Sequence, residues 1–128
     1  SGLAGVSQLS SDFRDILAGI AEGNDQARLA KEMYTYRIRK YIGQYAAAMG
    51  GVDIIVWTAG VGENQEDVRW DSCQGLEFLG IKMDKEANHC RGVERVISAP
   101  DSKVKVCLIP TDEEIVIARD TMELVAKK

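Results

Sequence analysis

Apolar residues at Phe13, Ile16, Leu17 and Ile20 fall at helical steps, and Ser10-Ser11-Asp12 just ahead of them supplies N-cap chemistry. Gly23-Asn24 closes that helix. Asp25 opens the longest periodic stretch, with Ala27, Ala30, Tyr34, Ile38, Tyr41, Tyr45 and Met49 at steps of three or four, and Gly50-Gly51 stops it. The pattern then changes. Asp53 to Thr58 holds four consecutive large apolar residues, Ile54-Ile55-Val56-Trp57, which predicts a strand buried on both faces. A glycine-bearing turn from Gly60 to Asn64 follows, then a short helix of about ten residues with Val68 and Trp70 on it. Leu76 to Met83 reads as irregular or weakly extended, Val93 to Ser98 as an edge strand, and Pro100-Asp101-Ser102 as a turn. Val104 to Ile109 is a second apolar strand, ended by Pro110-Thr111. Asp112 to Ala126 completes the chain as a helix carrying Ile115, Ile117, Ala118, Met122, Leu124 and Val125. Helices alternating with strands predict an α/β domain with a short, mainly parallel sheet packed with helices.

Composition narrows the function classes. The 128 residues suffice for one domain, and 45% hydrophobic with 28% charged residues is ordinary for a globular chain. A net charge of −4 argues against nucleic-acid binding, which wants a basic face. It leaves nucleotide binding open, because a few backbone N–H groups suffice for a phosphate. No apolar run approaches the ~20 residues that span a bilayer, and the first residues do not follow the charged-then-apolar pattern of a signal peptide. A cytoplasmic location is therefore expected, without nucleic acid or membrane as partner. Cys73, Cys90 and Cys107 form no C-x-x-C pair, and His89 is the single histidine, so zinc would lack ligands. His89-Cys90 reads as an ordinary thiol of a reducing compartment, the reactive-thiol alternative being the weaker fit.

The candidate chemistry sits at two strand-to-helix junctions, where ligands of open α/β sheets bind. In the first, Thr58-Ala59-Gly60-Val61-Gly62-Glu63-Asn64, glycines let a ligand approach the backbone and the following helix offers free N–H groups to an anion. The spacing is neither a P-loop nor a dinucleotide fingerprint, and taken alone it reads as a tight turn with Asn64 as a helix N-cap. The second is Ile109-Pro110-Thr111-Asp112-Glu113-Glu114. There Thr111 and Glu114 match a capping box, leaving Asp112 and Glu113 as spare carboxylates of the kind that holds Mg2+ beside phosphates. Parallel pairing of the two strands would open both loops on one edge of the sheet.

Five ordered motifs then carry a resemblance across the whole chain. They are Ser1-Gly2-Leu3 through Asp12-Phe13-Arg14-Asp15, Tyr36 to Gly43, Thr58 to Asn64, Gly75-Leu76-Glu77-Phe78-Leu79-Gly80, and Pro110-Thr111-Asp112-Glu113-Glu114. Together they resemble the C-terminal part of the acetate kinase family, of the actin-like ATPase superfamily, whose halves carry ribonuclease-H-like cores. The resemblance implies a partial ribonuclease-H-like domain, residues 1–128 being a nucleotide-binding C-terminal fragment whose enzyme has its N-terminal half upstream. It implies reversible transfer of the ATP γ-phosphoryl group to acetate, giving acetyl phosphate and ADP. By the same resemblance Asp12, Phe13 and Arg14 line the adenine and ribose side, Gly60, Val61, Gly62, Glu63 and Asn64 wrap the nucleotide, and Glu113 ligates Mg2+. Asp112 stands where the family more usually has Asn. The family's catalytic residues lie upstream of Ser1, so no catalytic residue is expected here and the fragment alone should be inactive. A homodimer is implied for the full enzyme. A propionate or butyrate kinase of the same family and a non-catalytic nucleotide-binding module are the alternatives.

Overall fold

The computed structural model describes residues 13–110, and the chain divides into two compact units, 1–41 and 42–128. In the first unit helix α1 (Phe13–Ala21) ends on Gly23, whose φ of 82° is open to a residue without Cβ. Gly23 N–H donates to the Ile20 carbonyl at 2.9 Å and Asn24 N–H to the Gly19 carbonyl at 2.8 Å, the paired bonds of a Schellman motif. Asn24 then starts helix α2 (Asp25–Met49), its Oδ1 accepting from Ala27 N–H at 3.0 Å. One residue thus closes one helix and caps the next, which is why the turn is so short. Ala27 and Ala30 are fully buried and Ile20 packs against them, small side chains allowing close helix approach.

The second unit begins within α2, whose end repeats the motif: Gly51 N–H reaches the Ala46 carbonyl at 2.7 Å, with Gly50 at φ 79°. Strand β1 (Ile54–Trp57) follows, then helices α3 (Ala59–Asn64) and α4 (Glu66–Cys73), a 3-10 turn (Glu77–Leu79), helix α5 (Lys85–Asn88) and strands β2 (Arg95–Val96) and β3 (Lys105–Leu108). The sheet order is β1-β3-β2. β1 pairs with β3 in parallel from Ile54↔Lys105 to Trp57↔Leu108, whereas β2 pairs with β3 antiparallel at Arg95↔Leu108 and Val96↔Cys107. The longer ladder is the parallel one, and the expected edge strand is at the edge.

β3 is central and carries the core: Val106, Cys107, Leu108 and the following Ile109 are buried, with Val68, Cys73, Leu76, Ile81, Ile97 and Val104 around them. A Leu→Ala change at a site like Leu108 typically removes about 2–5 kcal/mol. In β1, Ile54, Ile55 and Val56 are only half-buried, which corrects the expected burial on both faces: among the described residues β1 has no second neighbour and forms an open sheet edge.

The stretch from 76 to 83 is more ordered than its sequence suggests. Gly80 closes the 3-10 turn at φ 97°, and isolated bridges pair Ile81 with Val104 and Met83 with Ser98. Asp84 then caps α5, a helix the sequence pattern did not show, by accepting from Ala87 N–H at 3.1 Å. The helix expected over 112–126 lies outside the described residues. None of the described helices is long and apolar enough to cross a membrane.

Candidate nucleotide site

β1 delivers the chain to the glycine turn. Trp57 is its last, buried residue, and Thr58 stays extended at φ −152° and ψ 169°. Ala59 then takes φ 58°, a left-handed conformation that costs an L-residue with a Cβ roughly 1–2 kcal/mol. Gly60, at φ 14° and ψ −97°, is non-helical inside α3 and kinks it. The expected turn is therefore a kinked helical turn over Ala59–Asn64, and the next helix, at 8 residues, is shorter than expected.

The two glycines serve different needs. A Cβ at Gly60 would meet nothing within 4 Å, so its face is open to an incoming group. A Cβ at Gly62 would lie 3.4 Å from Cε3 of Trp57, so this glycine lets the turn settle on the indole at the strand's end. Asn64 is exposed and its Nδ2 donates back to the Gly60 carbonyl at 3.0 Å. The tight-turn reading made Asn64 a cap for the helix that follows. That reading is corrected, since the N-cap of α4 is Gln65, which makes no side-chain cap bond, and Asn64 instead braces its own turn. Glu66 and Asp67 already occupy the first turn of α4, so its positive end is met by the protein's own acids rather than left for a phosphate.

What fixes the turn from behind is Arg69, whose side chain is wholly buried. Its Nη1 donates to the carbonyls of Gly62 at 3.0 Å and Glu63 at 3.2 Å. Its Nη2 donates to those of Asn88 at 2.8 Å and Cys90 at 2.6 Å, and Nε to Asn88 Oδ1 at 2.8 Å. Five N–H groups meet five acceptors, the full capacity of a guanidinium. Burial pulls the Arg69 pKa down, with Cys90 and Glu66 working in the opposite direction. Gly92 N–H adds a bond to the Glu63 carbonyl at 3.1 Å, and His89 Nδ1 meets a Glu66 carboxylate oxygen at 2.9 Å on the surface. Cys90 Sγ donates to the Ala87 carbonyl at 3.3 Å, an ordinary structural role.

At the second junction Ile109 N–H donates to the Trp57 carbonyl at 2.9 Å, so the strand leading to Pro110 ends level with the strand leading to the glycine turn. The anticipated convergence of the two junctions on one sheet edge is thereby met as far as Pro110. Asp112, Glu113 and the capping box Thr111–Glu114 lie outside the described residues, as does Asp12. Phe13 and Arg14 open α1 in the first unit. Among the described residues no group of three His, Cys, Asp or Glu side chains is placed to hold a metal ion.

Arg69 and Asn88 were not singled out from the sequence. Arg69 reads as a solvated cation on a polar helix, although its spacing of three and four to Ser72 and Cys73, both buried, is a signal that it shares their inward face.

Comparison with known proteins agrees with this geometry. Residues 1–119 match the model of the acetokinase family. Acetate kinase from Phocaeicola vulgatus is 59% identical over 127 residues, which is 99% of this chain and 32% of that protein. A crystal structure of Porphyromonas gingivalis acetate kinase superposes with a TM-score of 0.86 at 56% identity, covering 98% of this chain and 32% of that one. A propionate kinase from Francisella tularensis gives a TM-score of 0.76 at 31% identity, covering 92% and 30%. The chain spans about a third of the length of the curated relatives it matches.

Proposed function

Because the chain belongs to the acetokinase family, we propose that it is the C-terminal, nucleotide-binding part of an acetate kinase that transfers the γ-phosphoryl group of ATP reversibly to acetate. The observation that carries this reading is the register of β1 on β3, which brings the open Gly60 turn and the approach to Pro110-Thr111-Asp112-Glu113 to one sheet edge. A nucleotide at that edge would meet Gly60, Val61, Gly62, Glu63 and Asn64, while Asp12, Phe13 and Arg14 are the residues that the family resemblance assigns to adenine and ribose. Glu113 would hold Mg2+, which neutralises phosphate charge when bound. Phosphoryl transfer depends on positioning and on cations facing the transferring oxygens, and this part of the enzyme supplies the positioning. A cytoplasmic homodimer belongs to the same reading, and Tyr45 and Met49, exposed one helical turn apart at the end of α2, support a protein contact there.

The similarity to a propionate kinase makes a longer acid the second reading. The test is acyl phosphate formation by the full-length enzyme with acetate, propionate and butyrate in parallel. The highest kcat/KM with acetate supports the first reading and with propionate or butyrate the second. ADP binding without any acyl phosphate would reduce the function to a non-catalytic nucleotide module.

A further inference from the structure

We infer that Asn88 is a positioning residue for the nucleotide turn, acting through Arg69 from 24 to 28 positions further along the chain than the turn it controls; the inference rests on the reading of Gly60–Asn64 as a nucleotide contact. Asn88 is 3% exposed and all of its polar capacity points inward. Its Oδ1 accepts from Arg69 Nε at 2.8 Å, its Nδ2 donates to the Glu66 carbonyl at 3.0 Å, and its own carbonyl accepts from Arg69 Nη2 at 2.8 Å. Two of the five acceptors that orient the guanidinium therefore belong to this one residue.

The consequence follows from the planarity of the guanidinium. With Nε and one Nη2 proton fixed by Asn88, the plane and the aim of the remaining donors are fixed, and Nη1 has to reach the Gly62 and Glu63 carbonyls. Those are carbonyls near the C-terminal end of α3, and the Asn88 and Cys90 carbonyls lie at and just beyond the end of α5, so one buried cation caps two short helices. The turn needs such an external hold. It has only six residues, is kinked at Gly60 and carries Ala59 in a left-handed conformation, none of which is self-sustaining. The five Arg69 donors go to four carbonyl oxygens and Asn88 Oδ1, so its charge is met by carbonyl dipoles and by Asn88, and loss of Asn88 Oδ1 leaves a buried N–H unpaired.

The test uses the full-length enzyme and three variants. Asn88→Leu keeps the shape and removes the acceptor; Asn88→Asp keeps an acceptor for Nε; Arg69→Lys keeps the charge and removes the fork. Hydrogen exchange of the Gly60–Asn64 amides is measured without ligand and with Mg-ADP, beside the KM values for ATP and acetate. Asn88→Leu and Arg69→Lys should speed ligand-free exchange in the turn and raise the KM for ATP about tenfold, with the KM for acetate within about twofold. Asn88→Asp should restore the KM for ATP to within about threefold of wild type. Unchanged exchange in the turn, or an equal rise in both KM values, in Asn88→Leu overturns the inference, and Arg69→Lys decides in the same way if Asn88→Leu does not fold. Wild-type turn amides that Mg-ADP leaves unprotected would overturn the nucleotide reading, whereas the ligand-free exchange still reports on the clamp alone.

Discussion

The Ile109 amide donates to the Trp57 carbonyl at 2.9 Å, joining the last residue of β1 to the first residue beyond β3. This bond levels the two strand ends, so the glycine turn and the Pro110 loop begin at the same height on the sheet. A shift of either strand would separate the two junctions.

Ile109→Pro removes that donor and leaves the Trp57 carbonyl unpaired at the mouth of the site. A loss of about 1–3 kcal/mol is expected from the unsatisfied group, measured by urea unfolding of the full-length enzyme. The KM for ATP should rise more than the KM for the acid, because the displaced loops are those assigned to the nucleotide. A stability loss with both KM values unchanged would show that strand level does not set the site.

Two glycine substitutions should have opposite signs. Gly80 sits at φ 97° and its Cβ would lie 2.9 Å from Cβ of Lys103, so Gly80→Ala should destabilise by about 1–3 kcal/mol. Gly43 lies inside α2 with nothing within 4 Å of its Cβ, so Gly43→Ala should stabilise by roughly 0.5–1 kcal/mol. Thermal unfolding of the two variants side by side checks the pair.

Cys107 is 1% exposed, and burial is the main cause pushing its thiol up from 9.0 to about 11, with Glu94 adding and Lys105 opposing. The unfolded thiol releases its proton near pH 9 while the folded one still holds it, so the unfolded state binds fewer protons there. Stability from this group is complete below pH 9 and is lost as pH rises towards about 11. Cys107→Ala should flatten that part of the stability profile. In the native protein a thiol reagent should label half-buried Cys90 before Cys107, and equal labelling rates would contradict the burial argument.

The sequence revealed what depends on runs and periods. Ile54 to Trp57 and Val106 to Ile109 are apolar runs because β1 and β3 pair in parallel with β3 buried at the sheet's centre, and α2 declared itself by spacing and by Gly50-Gly51. What it concealed depends on long-range satisfaction of polar groups. Nothing local to Asn64 says that its amide turns back to Gly60 instead of forward to α4, because the outcome is decided by Arg69 holding the end of the turn. Asn88 is equally silent, since its partners are 19 and 22 residues away. Helix α5 was legible in principle from Asp84 followed three residues later by Ala87, but four residues are too few for a periodic signal.

The arrangement of Arg69 also bears on what this chain can do by itself. Phosphoryl transfer needs cations directed at the transferring oxygens, and among the described residues the buried cation beside the turn is Arg69, its Nη1 3.0 Å from the Gly62 carbonyl. All five of its donors are committed to Gly62, Glu63, Asn88 and Cys90, so it cannot turn to a phosphate without dismantling the turn. The 128-residue chain assayed alone should therefore form no acetyl phosphate from ATP and acetate, even where Mg-ADP shifts the amide signals of Gly60, Gly62 and Asn64. Mixing in the other two thirds of the enzyme, produced separately, should restore turnover if that part supplies the cations. Turnover by the chain alone would mean that an exposed arginine or lysine of this segment reaches the phosphoryl group, and the division of labour between this segment and the rest of the enzyme would have to be redrawn.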